Sequence, residues 1–384
     1  MLKQRKLRLR ALAALGVAGI VTAGYPLVAS AVPPANHKVE VLNSVGADAT
    51  FTIIDKISKN YNANATANPD KDHAVATPAL LDPGTTFKVP ADSNCGKTIY
   101  NDSNPPPNGA SAGISALIAD TSGCIDFARS SRDKKSTDPS NLDFYAFAKD
   151  AVSWARFGTQ ACPGSDTGAK GCAPASLTQD QLKGIYLCDQ PGGKPKYTNW
   201  KQVGGDNAPI VRYFTQLTSG TGSFFETKIL GLSSSQQGVL DDTGCAVKPV
   251  RIEQSHGNLV PTANRAKAIL PYSYGNWQAQ KNGVVENDTA GSTLGQVNKV
   301  APTTATIGNG TFLGIRYVYN VTKSTSPSLN AALDLVGVDA TGNGYICAGK
   351  ENTNLKKYGF VLIPFGPAGP GLPNSYCRKN PTPL

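Results

Sequence analysis

The stretch that leaves this chain fewest choices is Ile210-Val211-Arg212-Tyr213-Phe214, then Thr218-Ser219-Gly220-Thr221-Gly222-Ser223, then an apolar pattern at Phe224, Phe225, Ile229 and Leu232. The first run reads as a buried strand, the hydroxyl and glycine residues as a turn, and the last four as one face of a helix. A strand feeding a helix through a small-residue turn is the unit of α/β sheets, whose ligands sit beyond the carboxyl ends of the strands. The first amides of a helix lack internal partners and lie at its positive dipole end, and Ser and Thr add donors beside them. Residues 218–223 can therefore cradle an anion. An ordinary capped helix also fits, because Ser223 and Glu226 have capping-box spacing.

The same pattern recurs. Residues 38–42 alternate like a strand, Gly46-Ala47-Asp48-Ala49-Thr50-Phe51 forms the turn, and Phe51, Ile54, Ile57 and Tyr61 share a helical face. Gly109-Ala110-Ser111-Ala112-Gly113-Ile114 is a third small-residue helix start, leading into Leu117 and Ile118. It also fits the G-x-S-x-G nucleophile elbow, with Asp206 or Asp241 and His256 as the other members of a triad. An elbow needs a strand just before it, and Ser103-Asn104-Pro105-Pro106-Pro107-Asn108 cannot be a central strand, so hydrolysis is not expected.

Residues 124–128 read as a strand with Arg129-Ser130-Ser131-Arg132 at its end. Two guanidinium groups and two hydroxyls can grip an oxyanion, or they can be solvated surface groups. Residues 144–154 read as a strand crossing into a new region and residues 311–320 as the crossing back. Thr178 and Gln181 form a capping box before Leu182, Ile185 and Tyr186, and residues 268–274 form a buried strand ahead of a helix at 276–281. Asp339-Ala340-Thr341-Gly342-Asn343-Gly344 mimics part of a calcium loop, but Lys350 stands where the twelfth-position Glu belongs, so a turn is expected.

At 384 residues the chain has room for two domains. Lys3, Arg5, Lys6, Arg8 and Arg10 precede an apolar run at 11–23, and Ala29-Ser30-Ala31 suits a cleavage site, so residues 1–31 read as a secretory signal. Gly24, Pro26 and Ser30 break the run before it reaches the roughly 20 residues of a membrane span. Without the signal's five basic and no acidic residues, the net charge falls from +10 to +5. Scattered lysines without interleaved aromatics argue against nucleic acid, whereas a mild positive field suits a small anion.

The eight cysteines all follow the signal, an even number that in an exported chain reads as disulfides. Near-neighbour pairing is expected: Cys95 with Cys124, Cys162 with Cys172, Cys188 with Cys245 and Cys347 with Cys377. No cysteine pair has zinc-knuckle spacing and there are only three histidines, so no metal or cofactor is expected.

Together these pieces resemble the phosphate-binding receptor family of ABC-type phosphate uptake, within the two-lobed periplasmic-type binding proteins. The likeness covers about residues 38–363. It rests on the order of Gly46-Ala47-Asp48-Ala49-Thr50-Phe51, Ile125-Asp126-Phe127-Ala128-Arg129-Ser130-Ser131-Arg132, residues 177–186 with Thr198-Asn199-Trp200, and Ser219-Gly220-Thr221. It implies an α/β type II fold, each lobe a mixed sheet flanked by helices, with the ligand cleft at the hinge. Lobe 1 would be 36–144 with 311–384, and lobe 2 would be 145–310.

Carried over by position, the resemblance implies ligand contacts from Thr50, the Phe51 backbone N–H, Ser111, Ser219, Gly220 and Thr221. Two positions depart from the family. Ser131 stands where an acidic residue is usual, and Thr215 where an arginine is usual; Arg129 or Arg132 is the candidate to supply that positive charge. No lipid-anchor cysteine follows the signal. The expectation is a secreted, monomeric, non-enzymatic binding protein for phosphate or a related oxyanion, with an ABC-transporter permease as the implied partner. The competing expectation is an extracellular protein that reuses the scaffold for adhesion or another ligand, with a degenerate site.

Overall fold

The computed structural model describes residues 39–90, 99–163, 168, 170–233, 236 and 245–384. The expected signal at 1–31, Cys95 and Asp241 lie outside the described residues. The main sheet has ten strands. They are β1 (Val41–Gly46), β2 (His73–Ala76), β3 (Phe127–Ser130), β4 (Leu142–Phe157), β5 (Val211–Thr215), β6 (Val250–Ile252), β7 (Ala268–Ser273), β8 (Ser292–Leu294), β9 (Ile315–Lys323) and β10 (Arg378–Lys379). Their spatial order is β2-β1-β3-β9-β4-β7-β5-β6, with β8 and β10 also paired to β4. The outer trios are parallel, and the central β3-β9-β4-β7 ladders are antiparallel.

β4 holds the sheet together. Its 16 residues pair with β9 over residues 142–151 and with β7 and β8 over residues 152–157, so one strand serves both halves. Nearly all of it is buried, because side chains on both of its faces meet packed elements. Around its second half lies an apolar cluster in which Trp154 stacks on Trp200 and Tyr186 packs edge-on to Phe214 and Phe225. Around the first half lies another, built from Leu42, Ile54, Ile57, Tyr61, Val318 and Leu335. Burying each such side chain contributes about 1.5–3 kcal/mol.

The helices follow their sequence signals with local adjustments. In α1 (Phe51–Asn62), Ile53, Ile54, Ile57 and Tyr61 recur at helical spacing and are buried, whereas Phe51 is only half-buried. α2 spans Ala110–Ala119, and α3 (Gln179–Tyr186) carries the expected Thr178/Gln181 capping box. α4 is Gly220–Phe224, continued by a π turn at Phe225–Ile229. Its cap is Ser219, whose Oγ accepts from the Gly222 N–H at 3.1 Å, so Ser223 sits inside the helix and is not the cap. The strand expected at 38–42 starts at Val41, and the one expected at 124–128 starts at Phe127.

Disulfides join Cys162 to Cys172, Cys188 to Cys245 and Cys347 to Cys377. Cys124 is also disulfide-bonded, and the expected pairing with Cys95 falls outside the described residues. Residues 339–342 form a turn held by Asp339 Oδ1, which accepts from Thr341 and Gly342 N–H. Among the described residues no group of three His, Cys, Asp or Glu side chains could hold a metal ion.

Candidate functional site

Three turns and one strand end meet. Gly46, the last residue of β1, pairs with Arg129 of β3 and bridges Asn108 just before α2. The loop ahead of α4 comes down on the same place. Thr218 Oγ1 donates to Asn108 O at 2.6 Å, and Gln216 Nε2 reaches Asn108 Oδ1 at 3.2 Å. Gly109, at φ +100°, allows this approach, since a Cβ there would overlap the Thr218 carbonyl. Likewise a Cβ on Gly220 would overlap Ser131 Oγ and crowd Ala110. Residues more than 80 positions apart, Ser131 and Gly220, are therefore in direct contact across the junction.

The centre of the junction is polar and buried. Arg316 of β9 is buried, and its Nη2 reaches Asp150 Oδ2 at 2.7 Å and Thr221 Oγ1 at 3.0 Å, while Nη1 reaches Ser131 O at 3.2 Å. Asp150 also accepts from Ser273 Oγ and from the Gly275 N–H, so this buried pair is well supplied with hydrogen bonds. Two hydroxyls are not: Ser131 Oγ, on the residue whose carbonyl Arg316 holds, and Thr215 Oγ1, against Gly222 of α4, are buried without a partner. An orphaned buried group has room for a further partner, such as an ordered water or an ion.

The remaining expected residues are placed as follows. Ser111 Oγ accepts from Arg132 Nε at 3.2 Å, and the same guanidinium holds Asp138 through two bonds of 2.8 and 2.9 Å. Arg129 is fully buried and donates to Ser44 O, Thr77 O and Ala47 O, so it braces the first turn from beneath and does not reach the junction. Burial works against its charge, an effect that Asp48 and Asp55 partly offset. The hydroxyl of Thr50 makes only a 3.5 Å bond to Ala47 O. The amides of Thr50 and Phe51 donate to Ala47 O and Asp48 O within a short 3-10 turn.

A chain of polar groups leads outward. Ser219 Oγ donates to Gln254 Oε1 at 2.5 Å, and Gln254 Nε2 donates to Asp48 Oδ2 at 3.5 Å. Burial raises the Asp48 carboxyl above its ordinary value, opposed by the nearby His256. Next to it, Glu253 accepts from Asn108 Nδ2 at 3.0 Å and Gln216 Nε2 at 2.6 Å, and burial with the neighbouring Asp48 pushes it up to about 7. An open cavity of about 380 Å³ starts at Asp48 and Phe51 and extends past Ser255 and His256. His256 bonds Gln254 O and Asp288, while Ser111 bonds Arg132, so the paper triad has different partners.

Sequence reasoning missed Arg316, Asp150, Gln254 and Glu253. Arg316 and Asp150 lie 166 residues apart in two crossing strands, and each alone looks like an ordinary charge between apolar neighbours. A charged residue in the middle of a run that is otherwise buried is the only signal either carries.

No protein-family model matches the sequence, and neither does any curated protein. Solved structures do resemble it. An ABC-type phosphate transport receptor from Vibrio cholerae is 17% identical, with a TM-score of 0.53 over 83% of this chain and 99% of that one. A putative phosphate ABC transporter substrate-binding protein with bound phosphate, from Clostridium perfringens, is also 17% identical, with a TM-score of 0.55 over 84% of this chain and 99% of that one. At this identity the likeness is one of fold. The chain has the two-lobed type II architecture of periplasmic-type binding proteins, a mixed α/β sheet continued through paired crossing strands.

Proposed function

We propose that this chain is an exported solute-binding protein whose cleft closes on inorganic phosphate or a related small oxyanion. Residues 36–144 with 311–384 would form one lobe and residues 145–310 the other, joined by β4 and β9. The observation that carries the reading is Ser131 Oγ: a buried hydroxyl without a partner, against the start of α4, with Thr221 Oγ1 and the Arg316 guanidinium alongside. Hydroxyl donors around a fixed positive charge suit an oxyanion, because hydrogen bonds to a charged group are the strong ones. Thr50, Ser111, Ser219, Gly220 and Thr221 are the other proposed contacts, with Arg132 orienting Ser111. Arg316 takes the charge role expected of Arg129 or Arg132.

The two solved structures named as phosphate receptors support this choice of ligand, and disulfides support an oxidising compartment. Among the described residues no helix is long and apolar enough to cross a membrane. An ABC-transporter permease is the partner this role implies. Isothermal titration with inorganic phosphate tests the reading: saturable binding supports it, while no heat and no thermal shift at millimolar phosphate reject the ligand. That negative result would favour the second reading, a scaffold whose oxyanion site has closed over. One observation speaks for it, namely that the amides of Thr50 and Phe51 are already spent on Ala47 O and Asp48 O.

A further inference from the structure

Beside the proposed oxyanion contacts, the cavity of about 380 Å³ has the opposite electrostatic character. Asp48, Asp82, Glu286 and Asp288 line it, and among the described residues its lining holds His256 but no lysine or arginine. Carboxylates gathered on the walls of a concave site focus a negative potential, which concentrates cations and repels a simple anion. A second observation points to a ligand there. Ser255 lines the cavity, is 1% exposed, and has a hydroxyl with no hydrogen-bond partner. Leu81 and Val285 give the cavity an apolar wall, the usual complement of a few placed polar groups in a small-molecule site.

The cavity is linked to the junction by hydrogen bonds. Asp48 lines the one, and through Gln254 it is linked to Ser219 of the other. Phe51 lines the cavity directly after Thr50, and Ser255 directly follows Gln254. We infer that the cavity is a subsite for an ammonium group, so that the solute is an aminoalkyl phosphate, its phosphate among Ser131, Ser219 and Thr221 and its amine among Asp48, Glu286 and Asp288. This rests on the oxyanion reading of the neighbouring contacts. It resolves a conflict within the cleft, because a carboxylate-lined cavity linked to an anion site is a penalty for bare phosphate and an attraction for a ligand carrying both charges. Burial favours the neutral form of Asp48, and an ammonium beside it restores the charged form.

Titrations of the full chain with inorganic phosphate, glycerol 3-phosphate and O-phosphoethanolamine test this, since the two esters share the anion and differ in the charge of the tail. The expected result is binding of O-phosphoethanolamine at least about tenfold tighter than glycerol 3-phosphate, about 1.4 kcal/mol. In the Glu286→Gln/Asp288→Asn variant that preference falls to about twofold or less. Equal affinities, or tighter binding of glycerol 3-phosphate, would overturn the ammonium subsite and leave the oxyanion reading standing. If none of the three phosphates binds, the oxyanion reading fails and this inference falls with it. A preference unchanged in the double variant would also overturn the assignment, because the amine would then lie elsewhere.

Discussion

In the proposed site, Ser131 would set the selectivity. An acidic side chain there would accept the proton of hydrogen phosphate and repel sulfate, which has no proton to give, whereas a serine hydroxyl donates or accepts as needed. Asp150, the carboxylate nearest the junction's centre, is occupied by Arg316, Ser273 and Gly275. We therefore expect a phosphate-to-sulfate preference below about a hundredfold, roughly 2.7 kcal/mol, in competition titrations at fixed ionic strength. A preference of many thousandfold would contradict this and move the acceptor role to Asp48. Glu253 makes a second prediction. Its folded-state pKa of about 7 lies above the ordinary 4.5, so the folded protein holds this proton more tightly than the unfolded chain does. That contribution to stability is fully present below about 4.5 and is lost as pH rises through about 7. Thermal melts across this window should show a decline that Glu253→Gln flattens; an identical pH profile in the variant would refute the assignment. Residues whose role is set by near neighbours were legible in the sequence, Thr178 with Gln181 being the clearest case. Arg129 was placed correctly at a strand end but not in direction, because whether a guanidinium points into a cleft or under a turn depends on carbonyls such as Thr77 O, 52 residues away.

Among elements, the junction depends on β4 and β9 staying in register, and the Asp150–Arg316 pair pins them there together with the start of the helix Tyr274–Lys281. Replacing Arg316 by Met would leave the Asp150 carboxylate buried and unpaired, a change that costs about 3–5 kcal/mol. Urea denaturation should show that loss, and the Asp150→Asn/Arg316→Met double variant should recover part of it, since the orphaned charge is gone. A loss below about 1 kcal/mol in the single variant would show that the pair does not hold the crossing strands. The crossings themselves were readable as long apolar runs at 144–154 and 311–320, and the three helix starts as clusters of small and hydroxyl residues. Two things were not readable. Strand starts shifted by three residues, because alternation at an edge such as 38–42 does not say where pairing begins. The contact of Gly109 with Thr218 was hidden as well, because a glycine marks a possible close approach without naming its partner.

At the scale of the whole molecule, two parallel trios joined by antiparallel crossing strands bring the turn at 46–51, the start of α2 and the start of α4 to one place, though they are spread over 175 residues of sequence. The bonds from Thr218 and Gln216 to Asn108 tie the two sides together, so under the proposed function a solute would enter only when they part, as in hinge closure. The architecture persists at 17% identity because it needs only the apolar periodicities and the small-residue turns. The most direct test of the account is therefore positional. In crystals grown with arsenate, which has the shape and charge of phosphate, anomalous scattering from arsenic should give one strong peak within hydrogen-bond reach of both Ser131 Oγ and Thr221 Oγ1. No peak at saturating arsenate, or a peak confined to the surface away from this junction, would contradict it.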